Sequence, residues 1–279
     1  MSAGTLYIVA TPLGNLEDVT HRALRVLREV PLIACEDTRR TVKLLNRYGI
    51  RTPMTSFHDF NKLQAGPGLL KRLREGQSVA LVSDAGTPGI SDPGYELVRD
   101  AVAEGLPVEV VPGPSALVSA LVVSGLPTDR FAFEGFLPNR QVRRRKALAA
   151  MSGDPRTLIF YESPQRIAAF LADAAEALGP RRACVVRELT KVHEEVLRGT
   201  LPELRAELSG RESVPGEITV VIAGAPKGAG PSVEEAVDEA LDEEGAASAS
   251  SRDLAREIAE RTGLSKKEVY EEILRRRAR

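Results

Sequence analysis

Residues 79–94 read VALVSDAGTPGISDPG, and this stretch decides the fold. Residues 79–82 have the length and apolarity of a fully buried strand. They run into a loop of Ser, Asp, Ala, Gly, Thr and Pro, and then into an amphipathic pattern over 93–104. Pro93 suits the first turn of that helix and Asp92 suits its cap. A small-residue loop at the carboxyl end of a buried strand is where open α/β sheets bind ligands. Gly86 and Gly89 permit backbone conformations and close ligand approach that a Cβ would prevent. Asp84 and Asp92 can accept hydrogen bonds from ribose hydroxyls or an amino group. A tight turn capped by Asp92 would use the same residues, and spacing alone does not separate the two readings.

The same alternation extends on both sides. Short apolar runs at 6–10, 32–35 and 108–111, with a further one near 54–57, alternate with amphipathic stretches at 20–28, 41–48 and 67–74. This predicts a mostly parallel α/β sheet over 1–115. After a helix near 115–123, runs at 131–136, 157–161, 184–187, 196–200 and 217–223 follow with shorter gaps, and a helix at 164–178 lies among them. A mixed, partly antiparallel sheet is expected there, so that 116–225 forms a second α/β domain. The run at 223–232 reads as a linker. Residues 226–279 would then hold a small helical module. In it, an acidic helix (232–241) and a flexible joint (245–251) precede a helix–turn–helix pattern over 252–276 with Gly263 at the turn.

The chain of 279 residues carries 38 basic and 39 acidic groups, net −1, which disfavours a protein that coats nucleic acid indiscriminately. With no Trp and 12 Phe plus Tyr, a broad stacking platform is poorly supplied. The charge is unevenly spread: seven acidic residues lie within 234–244, five basic ones within 140–146 and four within 275–279. Phosphate contact is therefore expected from Arg143, Arg144, Arg145 and Lys146, and from Lys266, Lys267, Arg275, Arg276 and Arg277. A solvated charged face would read the same way. The N-terminus lacks the pattern of a secretory signal and no run reaches the roughly 20 apolar residues of a membrane helix, so a cytoplasmic protein is expected. Cys35 and Cys184 read as buried free thiols, and no Cys/His cluster suggests a metal.

Two more loops follow strands on the same side, ATPLGN (10–15) and VPGPSA (111–116), the second with Ser115 as a helix cap. Neither GxxxxGK[ST] nor GxGxxG occurs, which removes support from kinases, ATPases and ordinary NAD dehydrogenases. Polar clusters at other strand ends contain Glu36, Asp37, His58, Glu188 and Lys191.

At these residues the chain resembles the tetrapyrrole methylase superfamily, a two-domain α/β methyltransferase fold that dimerises. The resemblance spans about residues 4–225 and rests on GTLYIVATPLGNLEDVT, IACEDTRRT, HDFN, ALVSDAGTPGISDPG, VPGPSA, FEGFLP, LIFYESPQR and RELTK together. Within the superfamily it resembles the branch that methylates the ribose 2′-oxygen of a cytidine in 16S ribosomal RNA. That resemblance implies S-adenosylmethionine as donor, no metal, and the small ribosomal subunit and a second copy of the chain as partners. It implies a donor pocket between the domains. Leu13, Asp84, Gly86, Thr87, Pro88 and Ile90 would line one side, Pro112, Gly113, Ser115 and Ala116 another, and Phe160 and Tyr161 would close the adenosine end. Activation of the hydroxyl is expected from Lys191 with Glu188, with Glu36, Asp37 and His58 as the other candidates. A C-methyltransferase acting on a tetrapyrrole precursor and a non-catalytic nucleic-acid-binding regulator are the competing readings.

Overall fold

The computed structural model describes residues 2–226, 233–242, 250–262 and 264–277. Most of the linker (227–232), the joint at 245–249, Glu243, Glu244, the expected turn residue Gly263 and Arg279 lie outside the described residues.

Five parallel strands form the first sheet: β1 (Leu6–Val9), β2 (Leu32–Cys35), β3 (Met54–Ser56), β4 (Val79–Val82) and β5 (Val108–Val111), in the order β3-β2-β4-β1-β5. Alternate residues of β4 serve opposite faces, which is why the strand reads as continuously apolar. Val79 and Leu81 pack with Leu69 and Leu73 of α3 (Lys62–Arg74) and Leu97 of α4 (Tyr95–Ala103). Ala80 and Val82 pack with Val26 and Leu27 of α1 (His21–Glu29) and Leu44 of α2 (Thr38–Arg47).

Helix starts shift by up to five residues from the sequence reading, and at two of them the cause is visible. α3 begins at Lys62, so Pro67 lies inside it rather than in its first turn. Asn61 starts it earlier: its Oδ1 accepts the His58 N–H, and the Lys62 N–H donates to the His58 carbonyl. α4 begins after Gly94 rather than at Pro93. Gly94 sits at φ 144°, and a Cβ there would stand 2.9 Å from Leu81 Cδ2, so only glycine lets the helix start this close to the sheet. Asp92 is thereby released from capping.

The second sheet has the order β6-β7-β10-β8-β9: β6 (Phe131–Phe136), β7 (Thr157–Glu162), β8 (Arg182–Arg187), β9 (Glu195–Thr200) and β10 (Ile218–Ile222). It is mixed, because β6 and β7 are parallel while β10 runs antiparallel to both its neighbours. α5 (Ala116–Ser124) covers one face through Ala120 and Leu121. α6 (Gln141–Ala150), α7 (Ile167–Leu178) and α8 (Leu201–Ser209) cover the other. α8 was not read from the sequence. Its signal is a capping box, in which the Thr200 hydroxyl accepts the Glu203 N–H and the Glu203 carboxylate accepts the Thr200 N–H.

α6 was read only as a basic run. Arg144 is 4% exposed and donates from Nε to Asp173 Oδ2 at 2.8 Å, while Arg145 donates to Asp173 Oδ1 at 2.7 Å and pairs with Glu176. Arg144 is therefore an interior ion-pair residue that joins α6 to α7, not a surface for phosphate. Arg143 and Lys146 are exposed.

α9 (Val233–Asp242), α10 (Ser251–Thr262) and α11 (Lys266–Arg277) share an apolar core of Val237, Ala240, Leu254, Ile258, Val269 and Ile273. Arg276 pairs with Asp238 at 2.7 Å, and Arg275 pairs with Glu272 at 2.6 Å, so part of the C-terminal basic run is spent inside the bundle. Lys266 and Lys267 are exposed. Among the described residues, no helix is long and apolar enough to cross a membrane.

Removing one partner of a buried pair leaves an uncompensated charge, at a cost of about 3–5 kcal/mol. Asp173→Ala should therefore lower the urea unfolding midpoint markedly. Glu176→Ala, at an exposed partner of Arg145, should move it little.

Candidate active site

Reciprocal backbone hydrogen bonds between Thr11 and Gly86, at 2.9 and 3.0 Å, join the loops that leave β1 and β4. Gly86 adopts φ +80°, and a Cβ there would press on the Leu13 side chain at 3.3 Å. The Thr87 hydroxyl donates to the Pro114 carbonyl at 3.2 Å, which ties in the loop after β5. Three loops thus converge at the carboxyl edge of the first sheet, and residues 161–164 and 216–219 of the second sheet face them across a cavity of about 450 Å³.

Leu13, Ile90, Phe136, Tyr161, Val186 and Ile218 supply an apolar part of the wall. Tyr161 meets Phe133 and Phe136 edge-on, with ring centroids 4.9 and 5.7 Å apart. Burial pushes its phenol up to about 12, so the hydroxyl keeps its proton.

Glu36, Asp84, Asp92 and Glu217 bring carboxylates to the same cavity. Burial raises Asp92 to about 7, Glu36 and Asp84 add to the rise, and the neighbouring Ser83 hydroxyl opposes it. Glu36 is also raised, by burial and then by Asp84. Asp84 is raised by burial even though it accepts the Asp37 N–H at 3.0 Å and lies 3.3 Å from Arg40 Nε. A wall of desolvated carboxylates favours a cationic occupant. Small loop residues and apolar groups beside it leave room for a flat ring. Such a wall fits a ligand with a sulfonium, an ammonium group and an adenine.

Of the residues expected to hold a donor, Leu13, Asp84, Gly86, Thr87, Ile90, Ser115, Ala116 and Tyr161 line the cavity. Pro88, Pro112 and Gly113 do not, and Gly113 lies against Ala10. Phe160 is a correction. Successive strand residues point to opposite faces, so Tyr161 faces the cavity while Phe160, 0% exposed, packs at a tilt against Phe170 in the core beneath α7. Ser115 stands at the start of α5, but its hydroxyl makes no capping bond.

Among the candidates for hydroxyl activation, only Glu36 lies on the wall. Asp37 caps α2 and grips Arg39, whose guanidinium hydrogen bonds hold its carboxyl down at about 2. A carboxylate that acidic is a poor base. His58 lies at the end of β3, and its buried Nδ1 has no partner. Lys191 Nζ sits 2.8 Å from Glu188 Oε1 and 3.3 Å from Glu217 Oε2. Burial works against the lysine's charge, but these carboxylates outweigh it and raise its pKa, while the lysine hydrogen bond lowers that of Glu188. The Lys191 stem also lies against Gly14, where a Cβ would come within 2.2 Å of Cγ. The Thr190 hydroxyl accepts the Asn15 N–H at 3.2 Å. The RELTK segment is thus a clasp between the second sheet and the loop after β1. Glu188 and Thr190 take positive φ values of 51° and 64° to form it, a strained backbone for side chains of this kind.

The sequence reading missed Arg40, Glu162 and Glu217 on the wall. Glu162 ends β7 fully buried and accepts from Arg166 Nη2 at 3.0 Å. Its place at the carboxyl end of β7 was the available signal.

The profile of the Tetrapyrrole (Corrin/Porphyrin) Methylases matches residues 5–205. The chain is 46% identical over 283 residues to the ribosomal RNA small subunit methyltransferase I of Pseudomonas aeruginosa, covering 100% of both chains. It is 50% identical over 221 residues to that of Thermotoga maritima, covering 79% of this chain and 99% of the relative. Uroporphyrin-III C-methyl transferase from Thermus thermophilus, complexed with S-adenyl homocysteine, shares the fold. Its TM-score is 0.53 at 24% identity, over 78% of this chain and 97% of that one. A parallel sheet joined to a mixed one, a cavity where their strand ends meet, and identity along the whole chain agree, and the chain belongs to the tetrapyrrole (corrin/porphyrin) methylases and, within them, to the ribosomal RNA small subunit methyltransferase I family.

Proposed function

We propose that this protein is an S-adenosylmethionine-dependent methyltransferase that modifies the ribose 2′-oxygen of a cytidine in 16S ribosomal RNA. One observation carries the reading: a cavity at the strand ends combines small-residue loops, an apolar slot and a wall of desolvated carboxylates. The names of the full-length relatives add the RNA of the small ribosomal subunit as substrate.

S-adenosylmethionine, when bound, supplies an electrophilic methyl group. Leu13, Ile90 and Tyr161 would hold its apolar part, Gly86 and Ala116 would admit it, and Asp84 with Glu36 would meet its positive charge. The Ser115 hydroxyl is available to it. The chain's own task is to align the ribose and remove one proton. We assign that proton to the Asp92 carboxylate. It lies on the wall, and burial places it near 7, where a base is both deprotonated and strong enough to accept a proton. Lys191 and Glu188 act as positioning residues that hold the β1 loop against the second sheet. The displacement itself requires no Lewis acid.

Residues 1–115 and 116–225 would form the two domains that close on donor and ribose, with 226–279 as an RNA-facing module. Arg143, Lys146, Lys266, Lys267 and Arg277 are exposed basic side chains that would meet phosphate. The expected homodimer has an apolar stripe available on α5, where Val118 and Val122 are 49% and 67% exposed one turn apart. A cytoplasmic location accords with a ribosomal substrate.

Tritiated methyl transfer to small ribosomal subunits, free 16S RNA and a tetrapyrrole precursor tests the function. Label in RNA at one ribose, resistant to alkaline cleavage, is the expected result, and label in the tetrapyrrole alone would overturn it. Gly86→Ala should weaken S-adenosylmethionine binding about tenfold by calorimetry, because a side chain at positive φ is strained and displaces Leu13. Asp92→Asn should cut the single-turnover rate about 100-fold or more with donor affinity retained. In the wild type that rate should climb about tenfold per pH unit up to about pH 7 and then level, and the variant should lose the slope. The stability effect has the opposite sign. A carboxyl raised in the folded state binds more protons folded than unfolded between its ordinary range and about 7, so its burial costs stability as pH rises through that window. Asp92→Asn should therefore raise the melting temperature at pH 8 and leave it nearly unchanged at pH 4.

A further inference from the structure

The chain has seven Phe and five Tyr, and two of these rings stand in water beside the cavity. Phe60 is 98% exposed and Tyr95 65%. Single exposed apolar residues are ordinary, but these two are held together. Lys62 Nζ lies 3.0 Å from Asp59 Oδ1 and 2.5 Å from Glu96 Oε1, which pins the loop bearing Phe60 against the start of α4. Both segments adjoin the cavity wall. Asp59 is close enough to Glu36 to raise its pKa, and Gly89, next to the wall residue Ile90, backs onto the Tyr95 N–H. Phe136 of the second sheet is on the wall and 56% exposed. Each outer ring has a partner on one side: the His58 ring meets Phe60 edge-on at 6.1 Å, and the Arg99 guanidinium lies 6.0 Å from the Tyr95 centroid.

A ribose buried deeply enough to reach Asp92 brings its nucleotide out of the RNA stack, and the neighbouring bases lose a stacking partner. Resting on the proposed function, we infer that Phe60 and Tyr95 form a rim on which the nucleobases flanking the methylated nucleotide stack. A second copy of the chain suits this surface less well. Asp59, Lys62, Glu96 and Arg99 stand among the rings and the exposed Leu63, whereas the exposed Val118 and Val122 lie one turn apart on α5.

The test compares wild type, Phe60→Leu, Phe60→Trp and Tyr95→Leu in methyl transfer to small ribosomal subunits from cells that lack the methylation. Light scattering is run on each protein. Loss of one stacking ring should raise KM for the subunit about tenfold. kcat and S-adenosylmethionine affinity should stay unchanged, because binding is lost equally before and at the transition state. Phe60→Trp should keep the wild-type KM, which a merely apolar contact would not require over leucine. The molecular mass should be the same for all four proteins. An unchanged KM in both leucine variants would overturn the rim, and so would a fall in mass, which would assign the rings to a second copy. Absence of RNA labelling by the wild type would instead overturn the proposed function, together with the rim that rests on it.

Discussion

The Thr11 and Gly86 backbones exchange two hydrogen bonds just past the ends of β1 and β4, and the position of the cavity follows from them. The two strands are already neighbours, but their loops would otherwise be free to splay. Pairing them brings Leu13 over Gly86 and sets Thr87 within reach of the Pro114 carbonyl. A residue with a Cβ at Gly86 would strain the backbone at φ +80° and push Leu13 into the cavity. The second sheet is then fastened to the same place by the RELTK clasp, whose lysine lies across Gly14. Both glycines are needed for close approach, one within the loops of the first sheet and one between the two sheets.

The cavity produced in this way is electrostatically unfavourable while only the protein's own groups line it. Glu36, Asp84 and Asp92 are mutually repelling and partly desolvated, and among the described residues Arg40 is the cation on the wall. Buried carboxylates of like charge raise one another's pKa, and a cationic ligand relieves all of them. Functional sites commonly carry such a stability cost, offset elsewhere in the fold. Here the offset includes two well-packed faces on each sheet and the Arg144–Asp173 pair.

The strands were legible because a buried parallel strand is a short apolar run bounded by turn residues. Residues 32–35 and 79–82 coincide with the buried β2 and β4, whereas 108–111 coincide with β5, an edge strand that leaves Glu109 and Val110 exposed rather than buried. The small-residue loops after β1, β4 and β5 were legible as loops, but that they meet at one cavity was not, since a tight turn would use the same residues. The charge runs were not legible in the same way. Arg144 and Arg143 are adjacent in a run of identical appearance, yet one is an interior partner of Asp173 and the other faces water, because successive helical positions point about 100° apart. Asp92 was left open between a helix cap and a ligand contact because Pro93 usually begins a helix, while close packing of Gly94 on Leu81 delays this one by two residues.

Local sequence therefore determined which segments become strands, which loops stay small and that the total charge is close to zero, since each depends on residues near one another in the chain. Tertiary structure decided which carboxylate burial raises to about 7, which arginines are held in ion pairs, and that two of the few aromatic rings stand beside the cavity. Those properties depend on burial and on neighbours distant in sequence. Glu36 and Asp92 on one cavity wall, Asp173 beside Arg144 and Glu96 beside Lys62 are juxtapositions that no run of adjacent residues contains.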